Sequence, residues 1–330
     1  MERTKKWGFS TFLCTILPSI LIMISCGETK NSGLDSTYDR LNQARDFWED
    51  NAYYCHGEFP AKRNDDGSCD DGDMTLFNAL LCASGEQRGC DAVRDAQSAD
   101  GRWWRSPRRA RGEGRRSNNS FSRDMSMGVL LYLAVTKDRD AASQWLRWID
   151  KNRPCVLEKP FGLGCQIRGP ERFCRNEDNQ VCTLTPGSWA IMKEVWEYLE
   201  LPLHSKMKSR ATQIAGNVLV QETELTDPGY ELHLKAVSVY LKQKMNIRHT
   251  QRRAMNKVLI EKQPHNPFMQ YLNDGPSEAL LKRTLDRCPT YGRYSNRLRQ
   301  WSWERDTNEQ AWKNSMLWDC IFLTNLLVAL

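Results

Sequence analysis

Four short stretches hold the side chains with the most chemical potential. Residues 64–73 contain five Asp in ten positions: Asp65, Asp66, Asp70, Asp71 and Asp73. Asp73 directly precedes the apolar run Met74-Thr75-Leu76-Phe77, where a carboxylate can cap a helix by accepting from its free N–H groups. Asp71 and Asp73 are this loop's candidates for acid or base chemistry. A calcium ion would also use carboxylates, but the spacing departs from the twelve-residue calcium loop and lacks its terminal Glu. The second stretch is Asp100-Gly101-Arg102-Trp103-Trp104-Arg105-Ser106-Pro107. Trp103 and Trp104 can offer flat faces beside the Arg105 cation, a combination able to stack on a sugar and hold a carboxylate or sulfate. The third, Ser120-Phe121-Ser122-Arg123-Asp124-Met125, opens another apolar run. Ser120 or Ser122 can cap it, and Arg123 can hold an anionic substrate group. Asp124 would lie at the positive end of a helix, whose field lowers a carboxyl pKa and suits a nucleophile, base or orienting group. The fourth, Trp301-Ser302-Trp303-Glu304-Arg305-Asp306, repeats aromatic rings beside charge, with Trp303 as a platform and Glu304 and Asp306 as spare carboxylates. Every one of these groups also has a structural use, as a cap, a packed ring or half of an ion pair.

Other chemistries have less support. There is no Cys-x2-Cys, His56, His204, His233, His249 and His265 fall in no ligand spacing, and no Gly-x-Ser-x-Gly or His-Glu-x-x-His occurs. The reading therefore includes no metal and no cofactor. A basic run, Arg108 to Arg116, could face nucleic acid. The modest net charge of +6, from 47 basic and 41 acidic residues, argues against that use, as does the evidence for export that follows.

Met1 to Lys6 carries three cations, and an apolar stretch runs from Trp7 to Ser25. That order is the signature of a secretory signal peptide. Met23-Ile24-Ser25-Cys26-Gly27 resembles the lipobox of bacterial lipoproteins, with Met23 in place of the usual Leu. The resemblance implies cleavage after residue 25 and lipidation of Cys26, and Gly27 is compatible with sorting to the outer membrane. Removal of residues 1–25 leaves 44 basic and 40 acidic residues. Residues 26–35 then form the lipidated start and a polar tether, and 36–330 a single domain.

Cys14 leaves with the signal and Cys26 would carry lipid. Ten cysteines remain, Cys55, Cys69, Cys82, Cys90, Cys155, Cys165, Cys174, Cys182, Cys288 and Cys320. In an oxidising compartment an even number reads as five disulfides. Short intervals rich in Gly, Asp, Asn and Pro favour neighbours in order: 55 with 69, 82 with 90, 155 with 165, 174 with 182, and 288 with 320.

The elements that must position these loops are helical. Apolar residues are 40% and aromatic residues 10% of the chain, with 12 Trp, enough for a large core and too many for disorder. They recur at helical spacing, and strand-like alternation is hard to find. Helices are expected near 36–53, 73–84, 91–98, 122–135, 138–149, 188–199, 206–220, 230–245, 251–260, 267–272, 276–285 and 308–328. Segments apolar nearly all round, such as Met125–Ala134 and Met316–Val328, alternate with segments bearing one apolar stripe. The first kind must be surrounded, while the second can face water. The alternation resembles the six-hairpin (α/α)6 toroid of glycan-active enzymes. An irregular helical domain or a superhelix of stacked pairs would use the same helices.

The toroid resemblance implies inner-helix ends and their loops around one cleft. A lipid-anchored glycosidase would place Asp71 or Asp73 and Asp124 there as proton donor and second carboxylate. Trp103, Trp104 and Trp303 would be sugar platforms, with Arg105 and Arg123 selecting an anionic glycan. A polysaccharide lyase, with His56 or His233 as base, and a non-catalytic lipoprotein binding a glycan or a protein through the same rim are the alternatives. The partners expected are a lipid membrane and an anionic glycan, with no nucleic acid.

Overall fold

The computed structural model describes residues 32–113, 121–174, 182–202, 214–247, 250–291, 300–304 and 311–328. The signal segment, Cys26, Arg115, Arg116, Ser120, Arg305 and Asp306 lie outside the described residues.

The chain is a helical domain stabilised by disulfides. Helices α1 (Ser32–Asn51), α2 (Met74–Ala83), α3 (Gln87–Asp95), a single turn α4 (Pro107–Ala110), α5 (Arg123–Thr136), α6 (Arg139–Lys151) and α7 (Pro186–Tyr198) are followed by six more. These are α8 (Ile214–Leu225), α9 (Tyr230–Lys244), α10 (Thr250–Lys262), α11 (Pro267–Asp274), α12 (Glu278–Arg287) and α13 (Trp318–Val328). All ten residues of α2 are buried. Helices α5 and α13 are buried over most of their length, as their nearly continuous apolar sequences require. Helices α3, α6 and α12 bury one stripe, for instance Leu280, Leu281, Thr284 and Leu285 in α12.

Packing is sequential. Helix α2 lies against α3 and α5, α5 against α7 and α9, and α9 against α10 and α11. Helix α11 meets α12 and α13, and α13 packs back on α1 and α2. Short connections at 84–86, 137–138 and 275–277 join α2 to α3, α5 to α6 and α11 to α12. The long connections, 52–73, 96–122, 152–185 and 288–317, precede α2, α5, α7 and α13.

Three of those connections depart from the purely helical expectation or refine it. Residues 54–70 fold into two small antiparallel ribbons, β1 (Tyr54–Cys55) with β2 (Phe59–Pro60), and β3 (Lys62–Arg63) with β4 (Cys69–Asp70). Residues 155–168 form a longer hairpin of β5 (Cys155–Glu158) and β6 (Cys165–Arg168). Such short strands, with little alternation, leave no periodic trace in the sequence. The helix expected over 308–328 is in fact a 3₁₀ turn at Ala311–Asn314 and then α13, separated by Leu317 at φ 67°. A left-handed residue ends helical propagation.

The cysteines join as Cys55–Cys69, Cys82–Cys90, Cys155–Cys165, Cys174–Cys182 and Cys288–Cys320. The first ties β1 to β4, the second clamps α2 to α3, and the last locks the end of α12 onto α13. Among the described residues no helix is long and apolar enough to cross a membrane.

Candidate functional site

The loop before α2 divides its carboxylates between two tasks. Asp71 is buried and accepts two hydrogen bonds from Arg109, at 3.0 and 2.9 Å, and one from the Ser106 hydroxyl at 2.8 Å. Burial opposes its charge, but the bonds from Arg109 and Ser106 and the charges of Arg109 and Arg108 outweigh it and hold the carboxyl below its ordinary value. An acid committed to a bidentate guanidinium is a structural knot, which corrects its expected place as a proton donor or base. The same knot explains the basic run. Arg108 reaches Glu113 at 3.4 Å, and Arg111 binds Glu113 at 2.7 Å and Glu58 at 2.6 Å, so these cations are already paired.

Asp73 does not cap α2. It sits in the left-handed region at φ 61° and ψ 11°, with no side-chain cap bond. Its carboxylate instead faces Arg105, at 3.4 Å, and Lys62, at 3.8 Å. Left-handed backbone is tolerated by Asp better than by most side chains, and here it turns the carboxylate away from the helix N–H groups. Arg105 is placed by main chain: its carbonyl accepts from Thr75 N at 3.0 Å, laying the 104–105 segment across the start of α2.

The aromatic residues of this region are mostly core. Trp103 has no exposed surface and meets Tyr132 edge-on at 5.9 Å. Trp303 is likewise buried, and its indole N–H donates to the Asp319 carbonyl at 2.8 Å. Neither can stack on a sugar, which corrects both expectations. Trp104 is half-buried, with the Arg102 guanidinium 3.8 Å from its ring centroid, so one face is occupied. A Trp's burial depends on what the rest of the chain places over it, and residues spaced like an exposed platform are packed here because α5 and α13 lie against their loops.

Asp124 opens the cleft. It stands in the first turn of α5 beside exposed Arg123, after Ser122, whose side chain makes no cap bond. Both Arg123 and Asp124 line a cleft of about 500 Å³ between the starts of α5, α7 and α9 and the end of α8. Burial pushes the Asp124 carboxyl up, and the nearby charge of Asp73 pushes it further, against weaker opposing effects from Arg123, its own backbone hydrogen bond and Arg105. The expected lowering by the helix end is therefore reversed. The helix field is a few tenths of a kcal/mol to about 1 kcal/mol, and burial together with a like charge exceeds it. Asp73 and Asp124 thus interact although 51 positions apart, through α2 and α5 packing side by side.

The cleft also contains groups that the four stretches do not include. Thr185 and Ser188 come from the start of α7, Tyr230 and Glu231 from the start of α9, and the Glu222–Lys235 ion pair bridges α8 and α9. Met127, Leu130, Ile191 and Leu234 form its apolar floor. The rule that selected Asp124, polar residues at the mouth of a very apolar helix, also selects Thr185 and Tyr230 when applied to α7 and α9. Tyr230 is exposed, and its hydroxyl donates to Glu231 at 3.1 Å. That bond to Glu231 and its charge raise the phenol's pKa. His233, one turn further on, is fully buried with neither ring nitrogen bonded, and burial lowers its pKa to about 3. It packs 5.8 Å from Phe268 and lines no part of this cleft. His56 lies in the β1–β2 turn at φ 50°.

Glu304 sits in a 3₁₀ turn, away from the cleft lining. Below it Asp319, fully buried and raised by that burial, accepts from Ser302 N and the Ser315 hydroxyl and knots the approach to α13. Among the described residues, no cluster of three or more His, Cys, Asp or Glu could hold a metal ion. The chain matches no protein-family model, no curated protein and no solved structure.

Proposed function

We propose that the chain is an exported, lipid-anchored protein of the bacterial cell envelope whose cleft hydrolyses a glycosidic bond in an anionic polysaccharide. Its helices would close as a toroid of six hairpins, with α2, α5, α7, α9, α11 and α13 inside and α1, α3, α6, α8, α10 and α12 outside. The extensive burial of α2, α5 and α13, and the return contact of α13 on α2, support this arrangement. The long connections before inner helices would then gather at the catalytic end. Residues 1–26 supply the export and lipidation signal.

The observation that carries the chemistry is Asp124: a carboxyl raised by burial and by Asp73, standing in an open cleft. A raised carboxyl holds its proton to higher pH and can protonate a leaving glycosidic oxygen. Asp73, held between Arg105 and Lys62 and coupled to Asp124 from outside the cleft lining, would be the second carboxylate and would activate water or attack the sugar. Arg123 is exposed on the same lining and would receive the substrate's anionic group. Tyr230 would take the stacking role that the buried Trp103 and Trp303 cannot. A lyase needs a base near neutral pH, and neither His233, lowered to about 3, nor Tyr230, raised by Glu231, meets that need.

The test uses the mature protein with neutral and uronic-acid-containing bacterial glycans, reading reducing-end release and unsaturated-product absorbance in parallel. Asp124→Asn is expected to lower reducing-end release by about 10²–10⁴-fold with no drop in melting temperature. A fully active Asp124→Asn would refute the assignment. Unsaturated products would establish a lyase, and binding without either product would establish a binding protein.

A further inference from the structure

Five of the nine large apolar or aromatic side chains exposed among the described residues fall in one hairpin, β5 with β6: Val156, Leu157, Phe161, Leu163 and Ile167. Phe161 at its turn is 97% exposed, Leu163 73% and Val156 67%. Such surface is unfavourable in water, and its clustering marks a contact site. The backbone of the turn adds to the cost. Phe161 holds φ 61°, where Gly or Asn is at ease and a bulky side chain is not, and an exposed ring gains no packing within the fold to compensate.

The hairpin keeps its shape without a core of its own. The Cys155–Cys165 disulfide crosses it, and Lys159 N donates to the Gly164 carbonyl at 2.8 Å to close the turn. Its base is pinned beside the end of α6, where Arg168 donates to the Asp150 and Lys151 carbonyls at 3.2 and 2.8 Å and Arg153 donates to the Gly169 carbonyl at 2.9 Å. Two observations indicate what covers the apolar tip. Every residue of β5 is exposed, as are Gln166, Ile167 and Arg168 in β6, so both faces of the ribbon are open. A flat protein surface would cover one face and leave the other in water, whereas a lipid interface surrounds whatever dips into it. The charge around the tip is also positive. Arg147 and Lys151 on the exposed side of α6, Lys159 beside the turn and Arg168 at the base form no ion pair among the described residues. Between residues 155 and 168 the only carboxylate is Glu158, and the nearby Asp150 is taken by Arg153 at 3.7 Å. Anionic headgroups complement such a cluster of cations.

We infer that the β5–β6 hairpin docks the domain on an anionic lipid surface, with Phe161 and Leu163 entering the interface and the surrounding cations meeting its headgroups. Side chains at the end of a narrow ribbon reach the boundary between headgroups and acyl chains, about 5–10 Å deep, without carrying the domain into the bilayer. The disulfide and the pinned base present the tip already formed, so little ordering is lost on contact. This contact comes from within the folded domain and does not require lipidation of Cys26.

Flotation of the mature protein carrying Cys26→Ser, which can bear no lipid, with vesicles of phosphatidylethanolamine alone or mixed with phosphatidylglycerol tests it. The protein is expected to float with the mixed vesicles and to partition at least about tenfold less onto the neutral ones. Rising salt should weaken the binding. Phe161→Ser with Leu163→Ser should lower partition onto the mixed vesicles at least about tenfold, with the melting temperature of the parent, because both side chains stand outside the core. Lys159→Gln, which leaves the apolar tip intact, should lower it about fivefold. No flotation of the parent, or equal flotation of the parent and the double variant, would overturn the inference. Self-association of the parent that the double variant loses, without vesicle binding, would assign the hairpin to a second copy and overturn it as well. Because Cys26 is replaced throughout, an error about the lipid anchor would leave these results unchanged.

Discussion

Gly128 is the point where α5 comes closest to α2, and replacing it with Ala tests the packing that brings Asp73 and Asp124 together. A Cβ at residue 128 would lie 2.6 Å from Leu76 Cα, 2.7 Å from the Thr75 carbonyl oxygen and 3.0 Å from Leu76 N. All three are main-chain atoms of a helix whose every residue is buried, so no side chain can swing aside. Ordinary carbon contacts need about 3.5–4.0 Å, so the helices must separate by about 1 Å. Overpacking of this kind costs about 1–3 kcal/mol, and contact with backbone places Gly128→Ala at the upper end. Ala gains about 1 kcal/mol over Gly in helix propensity. The net loss is about 2 kcal/mol, or a melting temperature lower by about 3 °C for a domain of this size. Gly187 provides the contrast within the same fold. A Cβ there meets only Leu219 Cδ2 at 3.6 Å and Thr185 Oγ1 at 4.0 Å, so Gly187→Ala should be neutral or raise the melting temperature by about 1–2 °C. Thermal unfolding followed by circular dichroism, both variants beside the parent, reads the difference. A Gly128→Ala protein that melts at or above the parent would refute the reasoning, because propensity would then outweigh the contact.

Asp71→Asn removes the charge from the Arg109 pair while leaving a guanidinium buried, and should cost roughly 3–5 kcal/mol by denaturant titration. The Asp71 carboxyl is lowered in the fold, so its contribution is complete above the unfolded value of about 3.9 and is lost as pH falls through the lower folded value; the parent should lose more stability than the variant over that acid range. For the export signal, intact mass of membrane-extracted protein should show loss of residues 1–25 and a lipid adduct on Cys26, and an unmodified mature chain would sink that proposal.

Local features were legible where local physics decides them. The helical segments follow from apolar periodicity, and the order of the cysteines along short loops corresponds to the pairs in the structure. The alternation of all-round apolar and striped segments anticipates which helices are surrounded. Arg123 and Asp124 are marked by a polar pair at the mouth of an apolar helix, and Thr185 and Tyr230 carry the same local signal at the starts of α7 and α9.

Partnership across distance was not legible in these local patterns. Asp71 and Asp73 are two residues apart and equally polar in sequence, yet one is clamped by Arg109 and the other faces Arg105 and Lys62. That division is made by a loop more than thirty positions later, together with the left-handed backbone at residue 73. Trp103 and Trp303 look like platforms until helices distant in the chain cover them. Asp124 changes direction, from a carboxyl lowered by its helix to one raised, because burial and the charge of Asp73 exist only once α2 and α5 are side by side. The sequence alone therefore determined the helical character, the neighbour spacing of the cysteines and the presence of an export-like start, all set by interactions within a few residues. Tertiary structure decided which carboxyl is spent on an ion pair and which stands in a cleft, because burial and electrostatic coupling depend on distance in space.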